Sequence, residues 1–272
     1  MQKYLIASDL DHTLLLNNHE ISEYTKAVLS KLINMGHFIL PCTARSAYGL
    51  PKFIKELNIQ YVAPSNGALI YDCINSKELL ENKLDTSIIK EIVEKLKDID
   101  VLFSIEVNNI QYSDKKIKEV YEKTRPIDMI EKLLHGRELV DDVISLLDKY
   151  DKVNKLHLSF SDDKRSTVFE LLNGSNEYTL TSSHPNNYEV TAVGVSKGEA
   201  IKKFMKEFNM NDYQVIAFGD NYNDISMIEL ANHGVAMING VLEIKEKADA
   251  ITNFSNDEDG VAKYLSNYFK LQ

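Results

Sequence analysis

The first apolar run, Tyr4-Leu5-Ile6-Ala7-Ser8, is too short for a helix and ends at polar residues, which predicts a buried strand. Over residues 21–35 the apolar positions Val28, Leu29, Leu32 and Ile33 fall at helical spacing, and Gly36 ends the pattern. Residues 37–42 read as a second strand, 49–57 as a helix and 61–63 as a short third strand. Strands alternating with helices predict a mostly parallel α/β sheet with helices on both faces.

Near Leu84 the texture changes. A long helical pattern over 86–96 leads into strands at 101–107 and 110–112, with a hairpin turn expected at Asn108-Asn109. Helical 141–149, strand 155–160, helical 163–172 and strand 178–181 follow, a block able to form its own sheet with helices on one side. The polar stretch 182–187 is expected to be a hinge. Beyond it, 188–192 and 214–218 are expected to resume the first sheet, with a helix over 201–208 between them.

Two carboxylates, Asp9 and Asp11, stand where the first strand ends. Alternate residues of an extended segment point the same way, and ligands of open α/β sheets collect beyond the carboxyl ends of strands, so both face one site. Crowded carboxylates repel unless one is protonated or a cation joins them, which lets identical neighbours take different roles. A solvated acidic turn is the alternative in a chain with 41 Asp and Glu. A calcium loop also places Asp9, Asp11 and Glu20 at ligand positions, but Leu14 stands where that loop needs glycine, and a strand precedes it.

Further candidates follow other strands. Thr43, Ala44 and Arg45 offer a hydroxyl, backbone N–H groups and a guanidinium, all able to bind phosphate; an N-cap Thr followed by a surface Arg is the plainer reading. Lys197 opens a helix, where its charge opposes the dipole, a mild cost that an anion would offset. Asp220 and Asp224 bracket a tight turn within 218–224, suiting a hard cation with oxygen ligands, although Asp224 could simply cap the next helix. Ser65-Asn66-Gly67 follows the third strand and could be only a turn.

With 272 residues the chain has room for one large or two medium domains. A net charge of -10 argues against general nucleic-acid binding, so local positive charge must meet any phosphate. No segment approaches the roughly 18 consecutive apolar residues of a membrane span, and no charged leader precedes an apolar stretch. A cytoplasmic protein without nucleic-acid or membrane partners is expected. Cys42 and Cys73 lack metal-ligand spacing and read as buried small hydrophobes, and the seven histidines form no zinc pattern.

The motifs Asp9-x-Asp11-x-Thr13, Thr43, Lys197 and Gly219-Asp220-x-x-Asn223-Asp224 fall in one order at strand ends. With Ser65-Asn66-Gly67 as a further signature, the chain resembles the haloacid dehalogenase-like hydrolases, and among them the Cof-type phosphatases, over essentially its whole length. His12 departs from the family's commonest Gly, and Cys42 from a more usual Ala. The resemblance implies a Rossmann-like parallel core over 1–83 and 187–272, with an inserted α/β cap over 84–186 that sets substrate choice. It implies that Asp9 attacks phosphorus to form an aspartyl-phosphate and that Asp11 serves as acid, then base. It implies Mg²⁺ held by Asp9, the Asp11 carbonyl and Asp220, with Asp224 ligating directly or through water. Thr43, Lys197, Asn223 and the N–H groups of Leu10 and Ala44 would hold phosphoryl oxygens, with Arg45, Asn66 and Gly67 as candidate substrate contacts.

The expected activity is hydrolysis of a small phosphorylated metabolite such as a sugar phosphate. A phosphomutase would need a basic cluster in the cap to retain a bisphosphate; Lys152, Lys155, Lys164 and Arg165 are instead interleaved with Asp148, Asp151, Asp162 and Asp163, which favours hydrolysis. A non-enzymatic relative would be expected to lose the nucleophile or the acid, and both are present. His157 and His184 are expected to be structural or surface residues.

Overall fold

The computed structural model describes residues 2–124, 130–131, 134 and 136–271. These form two compact units, one comprising Met1–Ala44, Leu50–Leu80 and Ser196–Gln272, the other Arg45–Gly49 and Glu81–Val195. The strands begin with β1 (Lys3–Ser8), β2 (Phe38–Pro41), β3 (Tyr61–Val62), β4 (Leu69–Asp72) and β5 (Lys77–Glu81). Next come β6 (Leu84–Asp85), β7 (Leu102–Val107), β8 (Ile110–Asp114), β9 (Arg137–Val140), β10 (Lys152–Val153), β11 (Lys155–Ser159), β12 (Tyr178–Thr181) and β13 (Asn187–Ala192). The last are β14 (Tyr213–Gly219), β15 (His233–Ala236) and β16 (Ala250–Ile251).

In the first unit, five parallel strands lie in the order β16-β15-β14-β1-β2. Their alternation feeds two cores. Ile6, Ile216 and Phe218 pack with Val28, Leu29 and Leu32 of helix Glu23–Asn34 and with Val261 and Leu265 of helix Gly260–Tyr268. Leu5, Ala7, Val215 and Ala217 pack on the other face with Ile201 and Phe204 of helix Lys197–Glu207 and with Met227. A strand apolar at every position is thus consumed from both sides, as parallel sheets require. Ser8 pairs with both Phe218 and Pro41, so β1, β14 and β2 finish at one edge. Asp9, Thr43 and Asp220 emerge there.

Two local expectations change. The helix expected over 49–57 is only Phe53–Glu56, preceded by a 3-10 turn at Ala47–Gly49. Pro51 stands between them and disfavours helical backbone at the residue before it. The helix expected over 141–149 is a 3-10 segment, Ile144–Asp148.

The second unit holds a six-stranded sheet in the order β12-β13-β11-β7-β8-β9. Asn108 and Asn109 turn β7 into β8 with φ of 53° and 66°, left-handed values that Asn tolerates and that match strand twist. One expectation is corrected here: 188–192 does not return to the first sheet. As part of β13 it lies between β12 and β11, antiparallel to both. The expected hinge is a hairpin loop, in which Asn187 Oδ1 accepts the N–H groups of Ser183 at 3.1 Å and His184 at 3.0 Å. The chain passes between the units at 44/45, 49/50, 80/81 and 195/196.

One face of this sheet is polar yet largely buried. Arg137, Gln111, Glu106 and Lys155 align across four strands, and Ser113, Ser104, His157, Glu189 and Thr181 form the next row. Lys155 Nζ donates to Glu189 Oε1 at 2.7 Å and lies 3.9 Å from Glu106, so the buried charges neutralise one another. His157 is neutral for a geometric reason. Because Asn187 Oδ1 is committed to backbone donors, its Nδ2 must donate to His157 Nε2 at 3.1 Å, which leaves that nitrogen unprotonated.

Burial pushes the His157 imidazole down to about 3, with Glu189 opposing and Arg137, Lys155 and His184 reinforcing. The unfolded imidazole binds its proton near the usual 6.5 and the folded one only near 3, so the unfolded chain holds more protons between these values. Stability therefore falls as pH drops from about 6.5 towards 3. Melting temperatures at pH 7 and pH 5 should diverge more for the parent than for His157→Gln; equal slopes would contradict this account. Among the described residues, no helix is long and apolar enough to cross a membrane.

Candidate active site

Past β1 the chain makes one wide turn, Leu10–Leu14, closed by Leu15 N–H donating to the Leu10 carbonyl at 2.8 Å. Asp11 is extended within it, and His12 takes the left-handed region at φ 59°, a conformation glycine adopts without steric cost. Asn239 holds the His12 carbonyl at 2.8 Å. At the head of the turn, Asp9 N–H donates to the Phe218 carbonyl at 3.0 Å, tying the end of β1 to β14.

Lys197 is fully buried and bridges two carboxylates, Asp9 Oδ1 at 2.7 Å and Asp224 Oδ1 at 2.5 Å. Burial alone would weaken its hold on its proton, but Asp224 and Asp9 outweigh that and raise its affinity well above the ordinary lysine value. This resolves the local conflict of a lysine at a helix start: its partners are carboxylates within the protein. Asp224 Oδ2 accepts the N–H groups of Asp220 at 2.9 Å and Asn221 at 3.0 Å, so this carboxylate also shapes the turn. Gly219 permits the turn, because a Cβ there would stand 2.4 Å from Asp224 Cβ.

Asp9, Asp220 and Asp224 can bring one oxygen each to within 4.8 Å of one another, all buried. Burial raises Asp9 to about 7; Lys197 opposes the rise, while Asp224 and Asp11 add to it. Burial, Asp224 and Asp9 push Asp220 well above the ordinary carboxylate value, against Thr13 and Lys197. Three carboxylates against one ammonium leave uncompensated negative charge in a dry place. An all-oxygen donor set of that charge fits a hard divalent cation.

Thr43 is buried at the end of β2 and pinned through its N–H to the Ala63 carbonyl at 2.9 Å; its own carbonyl accepts the Asn66 N–H at 2.9 Å. Asn66 Oδ1 then accepts from Asn223 Nδ2 at 3.0 Å, which orients the Asn223 amide. Ser65, Asn66 and Gly67 are all left-handed, and a Cβ on Gly67 would lie 2.6 Å from the Ser196 carbonyl oxygen. The structure thus places Asn66 and Gly67 as supports for Asn223 and for the helix bearing Lys197. Arg45 groups with the second unit and donates to the Gly49 carbonyl at 3.2 Å. Leu10 and Ala44 occupy the two turns leaving β1 and β2. Cys42 is buried with its thiol pushed up to about 12 by burial, which makes it inert, whereas Cys73 is only partly buried.

Two contacts lay beyond sequence reasoning. Thr13 Oγ1 donates to Asp220 Oδ1 at 2.6 Å across 207 residues; Thr13 is visible as a motif position, but its partner is not. His19 Nδ1 lies 2.8 Å from Asp11 Oδ1, and only an unusual loop conformation marks it.

A sequence model of the haloacid dehalogenase-like hydrolases matches residues 6–265, and the chain belongs to that family. The Bacillus subtilis (strain 168) protein YxeH is 30% identical over 275 residues, 95% of either chain. The 5-amino-6-(5-phospho-D-ribitylamino)uracil phosphatase YwtE of the same organism is 27% identical over 284 residues, covering 98% of each. A solved haloacid dehalogenase-like hydrolase from B. subtilis superposes with a TM-score of 0.85 at 25% identity, spanning 96% of this chain and 98% of that one. The chain is accordingly a phosphatase, a phosphoric monoester hydrolase of the Cof type.

Proposed function

We propose that the protein hydrolyses small phosphorylated metabolites, sugar phosphates or related polyol phosphates, with Mg²⁺ as cofactor and an aspartyl-phosphate intermediate. The observation that carries this reading is the Lys197 bridge between Asp9 and Asp224 within a buried cluster of three carboxylates. Lys197 fixes one oxygen of Asp9, leaving the other to attack phosphorus. The new Asp9–phosphorus bond forms as the ester bond breaks, and Asp11 gives its proton to the departing alcohol oxygen. Asp11 then takes a proton from water as that oxygen displaces Asp9 from phosphorus.

Thr43, Lys197, the second N–H of Asn223 Nδ2 and the backbone N–H groups of Leu10 and Ala44 orient the phosphoryl oxygens. Asp9, the Asp11 carbonyl and Asp220 would hold Mg²⁺, which supplies charge neutralisation for the phosphoryl group. Asp224, with both oxygens already accepting hydrogen bonds, suits contact through water.

We assign substrate choice to the second unit. Arg137 and Lys155 are matched there in number by Glu106 and Glu189, a charge pattern that suits an uncharged polyhydroxyl leaving group better than a second phosphate. The ribityl phosphate named in the substrate of YwtE belongs to this class. The basic side chains a mutase would gather are spent separately: Lys155 on Glu189, Lys164 on Asp163, Lys152 on Asp85, and Arg165 over the Tyr188 ring. Two free cysteines suit a reducing compartment, and we place the reaction in the cytoplasm.

Phosphate release from 4-nitrophenyl phosphate should disappear on exhaustive chelation and return with Mg²⁺. Mg²⁺ should also raise the melting temperature of the protein, since it binds only the folded cluster. Full activity after chelation would refute the cofactor assignment. A panel of phosphorylated metabolites with and without a second phosphate then tests the substrate class.

A further inference from the structure

We infer that His19 is a positioning residue for Asp11, fixing one carboxyl oxygen so that the other meets the leaving-group oxygen. The inference rests on the reading of Asp11 as general acid. His19 Nδ1 lies 2.8 Å from Asp11 Oδ1, with side-chain exposures of 18% and 29%, so the contact is partly sheltered from solvent. Asp11 is extended and the next residue is left-handed, so the direction of its carboxyl is set by side-chain contacts, the one with His19 among them.

The loop that presents His19 is fixed. His19 adopts φ 63°, a left-handed conformation that costs a non-glycine residue on the order of 1 kcal/mol and persists only where its surroundings impose it. Leu16 N–H donates to the Glu20 carbonyl at 2.9 Å and His19 N–H to the Leu16 carbonyl at 2.8 Å, closing the loop on itself. Amides and a carboxylate from near the C-terminus then stake it down. Asn256 Nδ2 reaches the Leu15 carbonyl at 2.9 Å and Asn17 Oδ1 at 3.0 Å, and Asn17 N–H donates to Asp257 Oδ1 at 2.7 Å. Asn239 continues the chain, bonding the Asn256 N–H at 3.1 Å and the His12 carbonyl at 2.8 Å. The imidazole therefore stands on a rigid mount eight residues from the carboxyl it touches. A surface ion pair contributing only stability would need no such support.

The two roles separate experimentally. A positioned acid matters when the leaving group is a poor one, so His19→Ala should lower kcat/KM for glycerol phosphate about tenfold, yet leave 4-nitrophenyl phosphate within about twofold. This quotient ends at the irreversible departure of the alcohol and so excludes the later hydrolytic step. His19→Asn should restore most of the loss, because its amide nitrogen can stand where Nδ1 stands. In an Asp11→Asn background, His19→Ala should cost nothing more on either substrate. Equal losses on both substrates, or a full additional loss in the Asp11→Asn background, would overturn the inference. If Asp11→Asn itself fails to discriminate between the substrates, the acid assignment falls and takes this inference with it. If Asp11→Asn discriminates and His19→Ala does not, only the inference about His19 falls.

Discussion

Asp9→Asn should suppress phosphate release on the order of a thousandfold or more while leaving the protein at least as stable as the parent. The first half follows from exchanging the carboxylate proposed to attack phosphorus for a near-isostere that cannot attack. The second half follows from charge. Burial raises Asp9 to about 7 from an ordinary value of 3.8, so its ionised form is disfavoured in the folded state. For a carboxyl shifted upward, the folded state binds the proton more tightly than the unfolded one, and stability is lost as pH rises from about 3.8 to about 7. Asparagine carries no such penalty, and its Oδ1 can still accept from Lys197. Metal-free Asp9→Asn should therefore melt at or above the parental temperature at pH 7.5, with no measurable turnover. Parental turnover would refute the nucleophile assignment, and a large drop in melting temperature would contradict the electrostatic account.

The convergence of Asp9, Asp220 and Asp224 was legible in the sequence because these groups lie at the carboxyl ends of strands, where backbone geometry alone brings distant residues together. Asp9 and Asp220 needed only the pairing of β1 with β14 to meet. Helix Thr86–Leu96 was legible for a similar local reason, since Ile89, Ile92 and Leu96 repeat on one face. The sheet to which β13 belongs was not legible. Tyr188 and Val190 alternate with Glu189 and Thr191, a pattern that fits any strand with one apolar face, and only pairing decides the partner. The polar face of the second sheet was hidden for the converse reason: nothing in the sequence marks Glu106, Lys155 and Glu189 as buried, and only their pairing across strands accounts for it. Asn66 and Gly67 were legible as a turn after β3, but not the acceptance of Asn223 Nδ2 by Asn66 or the close approach of Gly67 to Ser196. His19 had no signature at all, because a contact made across a loop depends on the loop's closure.

Lys197→Met should be the most damaging single change to the fold of the first unit. Methionine nearly matches the lysine stem in length and apolar character, so the variant removes the ammonium with little change in packing. Asp9, Asp220 and Asp224 then remain buried within reach of one another with no cation among them. Removing one partner of a buried pair costs roughly 3–5 kcal/mol, because the remaining charge is neither hydrated nor compensated. For a domain of this size that corresponds to a fall in melting temperature of about ten degrees. Activity should fall at least as steeply as in Asp9→Asn, since Asp9, the proposed nucleophile, loses the ammonium that favours its ionised form and holds one of its oxygens. The cause can be checked in the same protein. If electrostatic strain is responsible, the melting temperature of Lys197→Met should recover more than the parent's when Mg²⁺ is added. It should also recover when Asp9→Asn is combined with it, because each remedy reduces the same excess of negative charge. A variant that melts at the parental temperature without metal would show that the carboxylates are not held together by Lys197.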